Sequence, residues 1–193
     1  MNDLDRKQKL VMDHERGFAF TLGGRVIGKP RLSVWMILIP IIIIWHMFRF
    51  KKYVEARNAF GKNYLKPREQ AMQALRESLE TNSLLRLQEI VDRMHLPPEA
   101  RAPYRELLGV LAGHFRDLLA AEGEDMHGLL RRAYRSRVNY LLYVNRLGQV
   151  EKRLHAALRP AIKGDGGEIK KAVSRIETIA DLLRREEAER VFS

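Results

Sequence analysis

Residues 32–48 read LSVWMILIPIIIIWHMF, seventeen positions without one formally charged side chain, bracketed by Arg31 and Arg49. Four consecutive isoleucines make the run apolar on every side, the mark of a segment solvated by lipid tails rather than a helix with one buried stripe. As a helix rising ~1.5 Å per residue it would measure about 26 Å, the short end of what a hydrocarbon core of about 30 Å accepts. Trp35 and Trp45, the two tryptophans of the chain, fall near its ends, where amphipathic rings favour the headgroup layer. Leu32, Trp35, Ile37, Pro40, Ile41, Ile44, Trp45 and Phe48 are therefore assigned to a membrane anchor covering residues 31–49.

Pro40 opens two topologies. A proline removes one backbone donor and crowds the carbonyl four residues earlier, so it kinks or breaks a helix. Membrane helices tolerate this when local adjustments satisfy the freed groups, and a kinked transmembrane helix is the favoured reading. The alternative is a re-entrant hairpin that returns to the leaflet it entered. The run starts too late and is followed by too basic a stretch, RFKK at 49–52, to be a cleaved signal peptide.

Both flanks are basic. Arg25, Lys29 and Arg31 precede the run, while Arg49, Lys51, Lys52, Arg57, Lys62, Lys66 and Arg68 follow it. The heavier cluster is C-terminal, which predicts a cytoplasmic C-terminal domain. Residues 50–66 read as a basic juxtamembrane helix, and Arg49, Lys51, Lys52 and Arg57 as contacts to anionic lipid at about 1 kcal/mol each.

Outside the anchor the chain is helical throughout, giving an all-α fold class. Residues 1–30 form an N-terminal segment in which 3–22 make an amphipathic helix, with Leu4, Val11, Phe18 and Leu22 on one face and Gly23-Gly24 ending it. Residues 67–193 read as a soluble helical bundle of five or fewer helices. Pro67 is placed as the first residue of a helix through Glu80. Asn82 or Ser83 would cap a helix carrying Leu84, Leu87, Val91 and Met94, which Pro97-Pro98 stops. A third helix covers about 99–121. The EGED stretch at 122–125 makes a turn with an acidic cap, and a long helix follows over about 125–158. Pro160 and the glycine-rich loop at 164–167 end it, and a last helix covers about 168–191.

Chemistry is hard to find. The chain has no cysteine, which excludes disulfides, thiolate catalysis and Cys-based metal sites. Its six histidines, His14, His46, His95, His114, His127 and His155, form no HExxH pair and read as surface or edge residues. GDGGE at 164–168 follows a helix rather than a strand and lacks the phosphate-loop lysine. The basic stretch Arg131, Arg132, Arg135 and Arg137 places Tyr134 on the apolar stripe and its cations on the others, an ordinary solvated face. The charged run 184–190 likewise reads as surface. No catalytic residue, cofactor or metal is expected.

The residues Lys29, Pro30, Arg31, Leu32, Ser33, Val34, Trp35, Met36, Ile37, Leu38, Ile39 and Pro40, with the basic FRFKK after the apolar run, resemble an uncharacterised family of bacterial membrane-anchored proteins. The likeness covers the first third of the chain. It implies a bacterial inner-membrane setting and no activity.

With 35 Lys and Arg against 24 Asp and Glu, the formal charge of +11 suits a surface facing anionic lipid. The function that best fits is a non-enzymatic membrane-anchored scaffold or adaptor. It would hold a protein partner, or itself as a homo-oligomer, at the cytoplasmic face of a bacterial inner membrane. A monotopic enzyme acting on lipid-linked substrates is the alternative, and a basic nucleic-acid tether is a third reading, disfavoured by the solvated-face pattern of the arginines.

Overall fold

The computed structural model describes residues 2–27, 40–162 and 165–193, with the backbone alone over 40–53. Leu32, Trp35 and Ile37 of the anchor assignment lie outside the described residues, and Pro40, Ile41, Ile44, Trp45 and Phe48 lie on the helical backbone that follows. The described residues form seven α-helices and no strand: α1 (Asp3–Val26), α2 (Pro40–Thr81), α3 (Leu87–Asp92), α4 (Pro98–Ala120), α5 (Met126–Tyr134), α6 (Arg137–Leu158) and α7 (Gly166–Phe192), with a 3₁₀ turn at Arg159–Ala161. Among the described residues no helix is long and apolar enough to cross a membrane.

α4 is the axis of the core. Leu108, Leu111, Phe115 and Leu118 recur at threes and fours and are fully buried, so one face of the helix is sealed along its length. α1, α2, α3, α5 and α6 pack around it, and α7 closes the bundle over α1 and α6. Ala71, Met72 and Leu75 of α2, Leu129 and Leu130 of α5, Val144 and Val150 of α6, and Ala188 and Val191 of α7 supply the rest of the core.

Local chemistry explains several helix ends. Asp125 caps α5 by accepting from the Gly128 N–H at 2.7 Å, the acidic cap anticipated in the EGED turn. Asp165 does the same for α7 through Glu168 N–H at 2.9 Å. Pro98 starts α4, where its missing N–H costs nothing.

Four boundaries differ from the sequence expectation. Gly23 and Gly24 lie inside α1, not at its end, because α2 passes so close that a Cβ on Gly23 would stand 3.2 Å from the Phe60 ring. Pro67 lies inside α2, whose 42 residues run unbroken from Pro40 to Thr81. The hydrogen bond it removes is compensated by burial against the bundle. α3 is shorter than expected, with Asn82 at φ 48° and Leu84 left 89% exposed outside it. The predicted long helix over 125–158 breaks at Arg135, which takes a left-handed φ of 63°, and Ser136 then caps α6.

α1 and α2 are antiparallel neighbours. Asp5 pairs with Arg76, Glu15 with Arg68, and Gly24 lies against Arg57. The end of α1 is therefore level with the mid-fifties of α2, and residues 40–53 carry α2 roughly 20 Å past that level. α7 is antiparallel to α1 as well, with His14 on Glu187 and the Arg25 carbonyl accepting from Arg175.

Candidate functional site

Between α1, α2, α6 and α7 lies a cluster of charged side chains inside the bundle. Arg68 of α2 is 2% exposed, yet it is a full cation. Its Nε donates to Glu15 at 2.7 Å, Nη1 to the Tyr64 carbonyl at 2.9 Å, and Nη2 to the Tyr64 hydroxyl at 2.6 Å and Glu151 at 3.1 Å. Arg184 of α7 forks onto both oxygens of Glu151 at 2.7 and 2.8 Å and reaches the Tyr64 hydroxyl at 3.1 Å. Two buried guanidinium groups thus face two buried carboxylates, and the charge cancels locally. The planar fork of arginine makes this bidentate geometry available. The Arg68 guanidinium also lies 3.7 Å over the Tyr64 ring, and the rings of Phe18 and Phe60 stack near that tyrosine with centroids at 5.8 and 6.0 Å.

A second polar group adjoins the first. Glu187 accepts from the Tyr140 hydroxyl at 2.6 Å and faces His14 Nε2 at 2.8 Å. His114 Nδ1 lies 2.6 Å from the Tyr134 hydroxyl, and its ring stacks on Tyr143 at 4.1 Å. The space enclosed between the two groups is about 20 Å³, lined by His14, Glu15, Arg68, His114, Arg184 and Glu187 among others. That volume is about what one water molecule needs.

The electrostatics follow from burial and pairing. Burial alone would push the Glu151 carboxyl up, but Arg184 and Arg68 outweigh it and hold the group down at about 2. Glu187 is also held below the ordinary range, its burial overcome by His14 and Tyr140. Burial drives His114 down to about 3, aided by the His14 charge, so its ring is neutral at any physiological pH. Burial disfavours the charged form of His14 too, yet the Glu187 carboxylate raises it above its usual value. Tyr64 is pushed up to about 12 by burial. The cluster contains ionised groups locked in pairs and neutral groups held neutral. His14, raised above its usual value by Glu187, is the titratable exception among the groups described above.

Beside this cluster, between α2, α4, α6 and α7, a mainly apolar cavity of about 310 Å³ is lined by Phe60, Pro67, Met94, Leu107, Leu154 and Ile176 among others. Several polar groups at its wall are engaged elsewhere: Arg68 and Glu151 as above, His155 with Glu177 at 3.0 Å, and Tyr104 with Gln70; Asn63 and Lys66 also line it. Among the described residues no group of three or more His, Asp and Glu could hold a metal ion.

Of the anticipated lipid contacts, Arg49, Lys51 and Lys52 lie on the backbone of α2 beyond the end of α1. Arg57 is placed differently. Its guanidinium sits 3.4 Å over the Phe20 ring and donates to the Phe20 carbonyl at 3.0 Å, tying α2 to α1. The charged run 184–190 is not simply surface, because Arg184 and Glu187 are each 6% exposed. His114 is likewise a core residue rather than an edge one. A signal for these was present in the sequence: each buried charge stands on an apolar stripe. Glu15 lies between Val11 and Leu22, Arg68 leads into Ala71, Met72 and Leu75, and Arg184 and Glu187 interrupt Ala180, Leu183, Ala188 and Val191.

No protein-family model matches the chain, and no curated protein or solved structure is detectably similar to it.

Proposed function

We propose that this chain is a membrane-attached helical scaffold, an adaptor or assembly protein at the cytoplasmic face of a bacterial inner membrane, with residues 32–48 dipping into one leaflet and returning. The observation that carries the topology is the buried Arg68–Glu15 pair across antiparallel α1 and α2. It joins the chain before the apolar run to the chain after it, within one core. A single crossing would place those two flanks on opposite sides of the bilayer and forbid the pair. Two crossings need about 40 helical residues. Only residues 28–53 separate Ile27 from Val54, and an extended chain would leave its backbone polar groups unsatisfied in lipid. A re-entrant segment is compatible with the pair and with the length of chain between the two flanks.

The scaffold role rests on a bundle whose buried polar groups are consumed in holding helices together. The bundle also carries an apolar surface away from the membrane: Val138 and Leu142, one turn apart on α6, are 67% and 62% exposed. The membrane-enzyme reading draws support from the 310 Å³ cavity beside Phe60 and Pro67, although Arg68, Glu151 and His155 on that wall are already paired.

Because the chain has no cysteine, single cysteines report sidedness cleanly. Lys9→Cys on α1 and Ser193→Cys at the end of α7 should both resist an impermeant thiol reagent in intact spheroplasts and both react after permeabilisation. Reaction of one and not the other in intact cells would overturn the re-entrant topology. Crosslinking of Leu142→Cys in native membranes should capture a second copy or another protein. A full-length chain that stays monomeric and uncrosslinked there would overturn the scaffold role.

A further inference from the structure

Four segments distant in sequence meet at the end of the bundle from which α2 leaves towards the apolar run. α1 finishes there with Arg25, exposed and ion-paired with Glu186. α6 runs antiparallel to α7, as the His155–Glu177 and Glu151–Arg184 pairs require, so it also ends there. Its terminal 3₁₀ turn presents Arg159 and is followed by Ile162, 48% exposed. α7 begins beyond that level, and the bond from Arg175 to the Arg25 carbonyl, 3.1 Å, fixes its third turn beside the end of α1. Lys170 and Lys171 lie about one turn further out along α7, both exposed.

The charge pattern on that end is costly for the isolated fold. Lys171 and Arg175 are like charges at i and i+4 on one helix face, an arrangement that destabilises a helix. Acidic groups nearby have their own duties: Glu177 pairs with His155, Glu186 with Arg25, and Asp165 caps α7. Glu168 stands in the first turn of α7, where it complements the helix dipole. A cationic face with an exposed isoleucine at its edge complements an anionic, partly apolar surface, and the leaflet entered by the apolar run is such a surface. The cations of α7 lie within about one Debye length, roughly 10 Å at moderate salt, of the level at which α2 leaves the bundle.

We infer that Arg159, Ile162, Lys170, Lys171 and Arg175 form a docking face for the anionic headgroups of that leaflet, so that the bundle lies down on the membrane by its end rather than standing off on a tether. The inference rests on the membrane-attached reading and extends the lipid contact to α7 and the turn before it, far from the apolar run in sequence.

The test uses the full chain reconstituted into vesicles of phosphatidylcholine alone or mixed with phosphatidylglycerol, each doped with a headgroup-quencher lipid. A fluorophore on Ser174→Cys, beside Arg175, reads the docking face, and one on Lys9→Cys reads the far end of α1. The Ser174 label should be quenched in the anionic vesicles, and released by high salt or by Lys170→Gln, Lys171→Gln and Arg175→Gln together, while the Lys9 label stays unquenched. Three neutralised cations should lower the docking equilibrium about a hundredfold, about fivefold each. Equal quenching of the two labels, or quenching of Ser174 that ignores salt and the triple substitution, would overturn the docking face. So would displacement of the face from anionic vesicles by a short DNA duplex at equal phosphate, which would identify nucleic acid as its ligand. Flotation with the neutral vesicles separately tests attachment: a chain that fails to float there has lost the anchor reading, while its Ser174 signal on anionic vesicles still decides the docking face.

Discussion

Arg68 and Glu15, fifty-three positions apart in the chain, meet at 2.7 Å with both side chains nearly sealed from solvent. Burying two charges gains little stability over apolar residues of the same size, but removing one partner strands the other. The pair therefore acts as a register pin: it selects the one alignment of α1 on α2 in which the carboxylate of one reaches the guanidinium of the other.

Arg68→Met should lower unfolding stability by about 3–5 kcal/mol, because Glu15 and one oxygen of Glu151 lose their cation. Glu15→Met combined with Arg68→Met should recover much of that loss. Denaturant unfolding of the detergent-solubilised chain, followed by near-ultraviolet circular dichroism, measures both. A double variant as unstable as Arg68→Met would refute the pin.

Gly23→Leu should separate α1 from α2 at the C-terminal end of α1. The added side chain must displace the Phe60 ring, which stands 3.2 Å from the position of the first new carbon. Overpacking of this kind costs about 1–3 kcal/mol. Gly17→Ala is the control, since nothing lies within 4 Å of its added carbon. It should match or exceed the parent chain's stability.

Acid should unfold the bundle in two stages. His114 has its folded value depressed to about 3, so between pH 6.5 and 3 the unfolded chain binds a proton that the folded chain refuses. Stability falls by up to about 1.4 kcal/mol per pH unit across that window. Below pH 4.5 Glu151, held at about 2, adds a second loss of the same sign. His14 acts oppositely: its raised value means that protonation stabilises the fold, a contribution present below pH 6.5 and lost as pH rises through the folded value. His114→Gln should flatten the first stage and leave the second, as read from melting temperature against pH.

Arg135→Gly should stabilise the chain by roughly 1 kcal/mol. Arg135 is exposed and holds a φ of 63° between α5 and α6, a conformation that costs a residue with a Cβ about that much. Thermal unfolding of the single variant measures it, and a lower melting temperature would show that the arginine side chain contributes something the backbone argument omits.

Much of the architecture was readable from neighbouring residues. The cap at Asp125 and the apolar stripe of α4 depend on groups within one or two turns of each other, and sequence order already brings those together. The elements misjudged from sequence were those whose outcome depends on a distant helix. Gly23-Gly24 and Pro67 carry the usual marks of helix ends, yet tertiary packing runs the helices straight through them. The charges of Arg68, Arg184, Glu15 and Glu187 look solvent-facing in isolation, because a lone charge belongs in water. Only when α1, α2, α6 and α7 come together, guanidinium to carboxylate and imidazole to carboxylate, does burial become favourable.

The apolar run, its basic flanks and the helical character of the rest needed no fold to be seen, since hydropathy and periodicity are properties of adjacent residues. Which faces meet, and therefore that the two flanks of the run share one core, came from contacts across dozens of positions. A chain encodes those contacts in the complementary shape and charge of surfaces that meet only once it has folded.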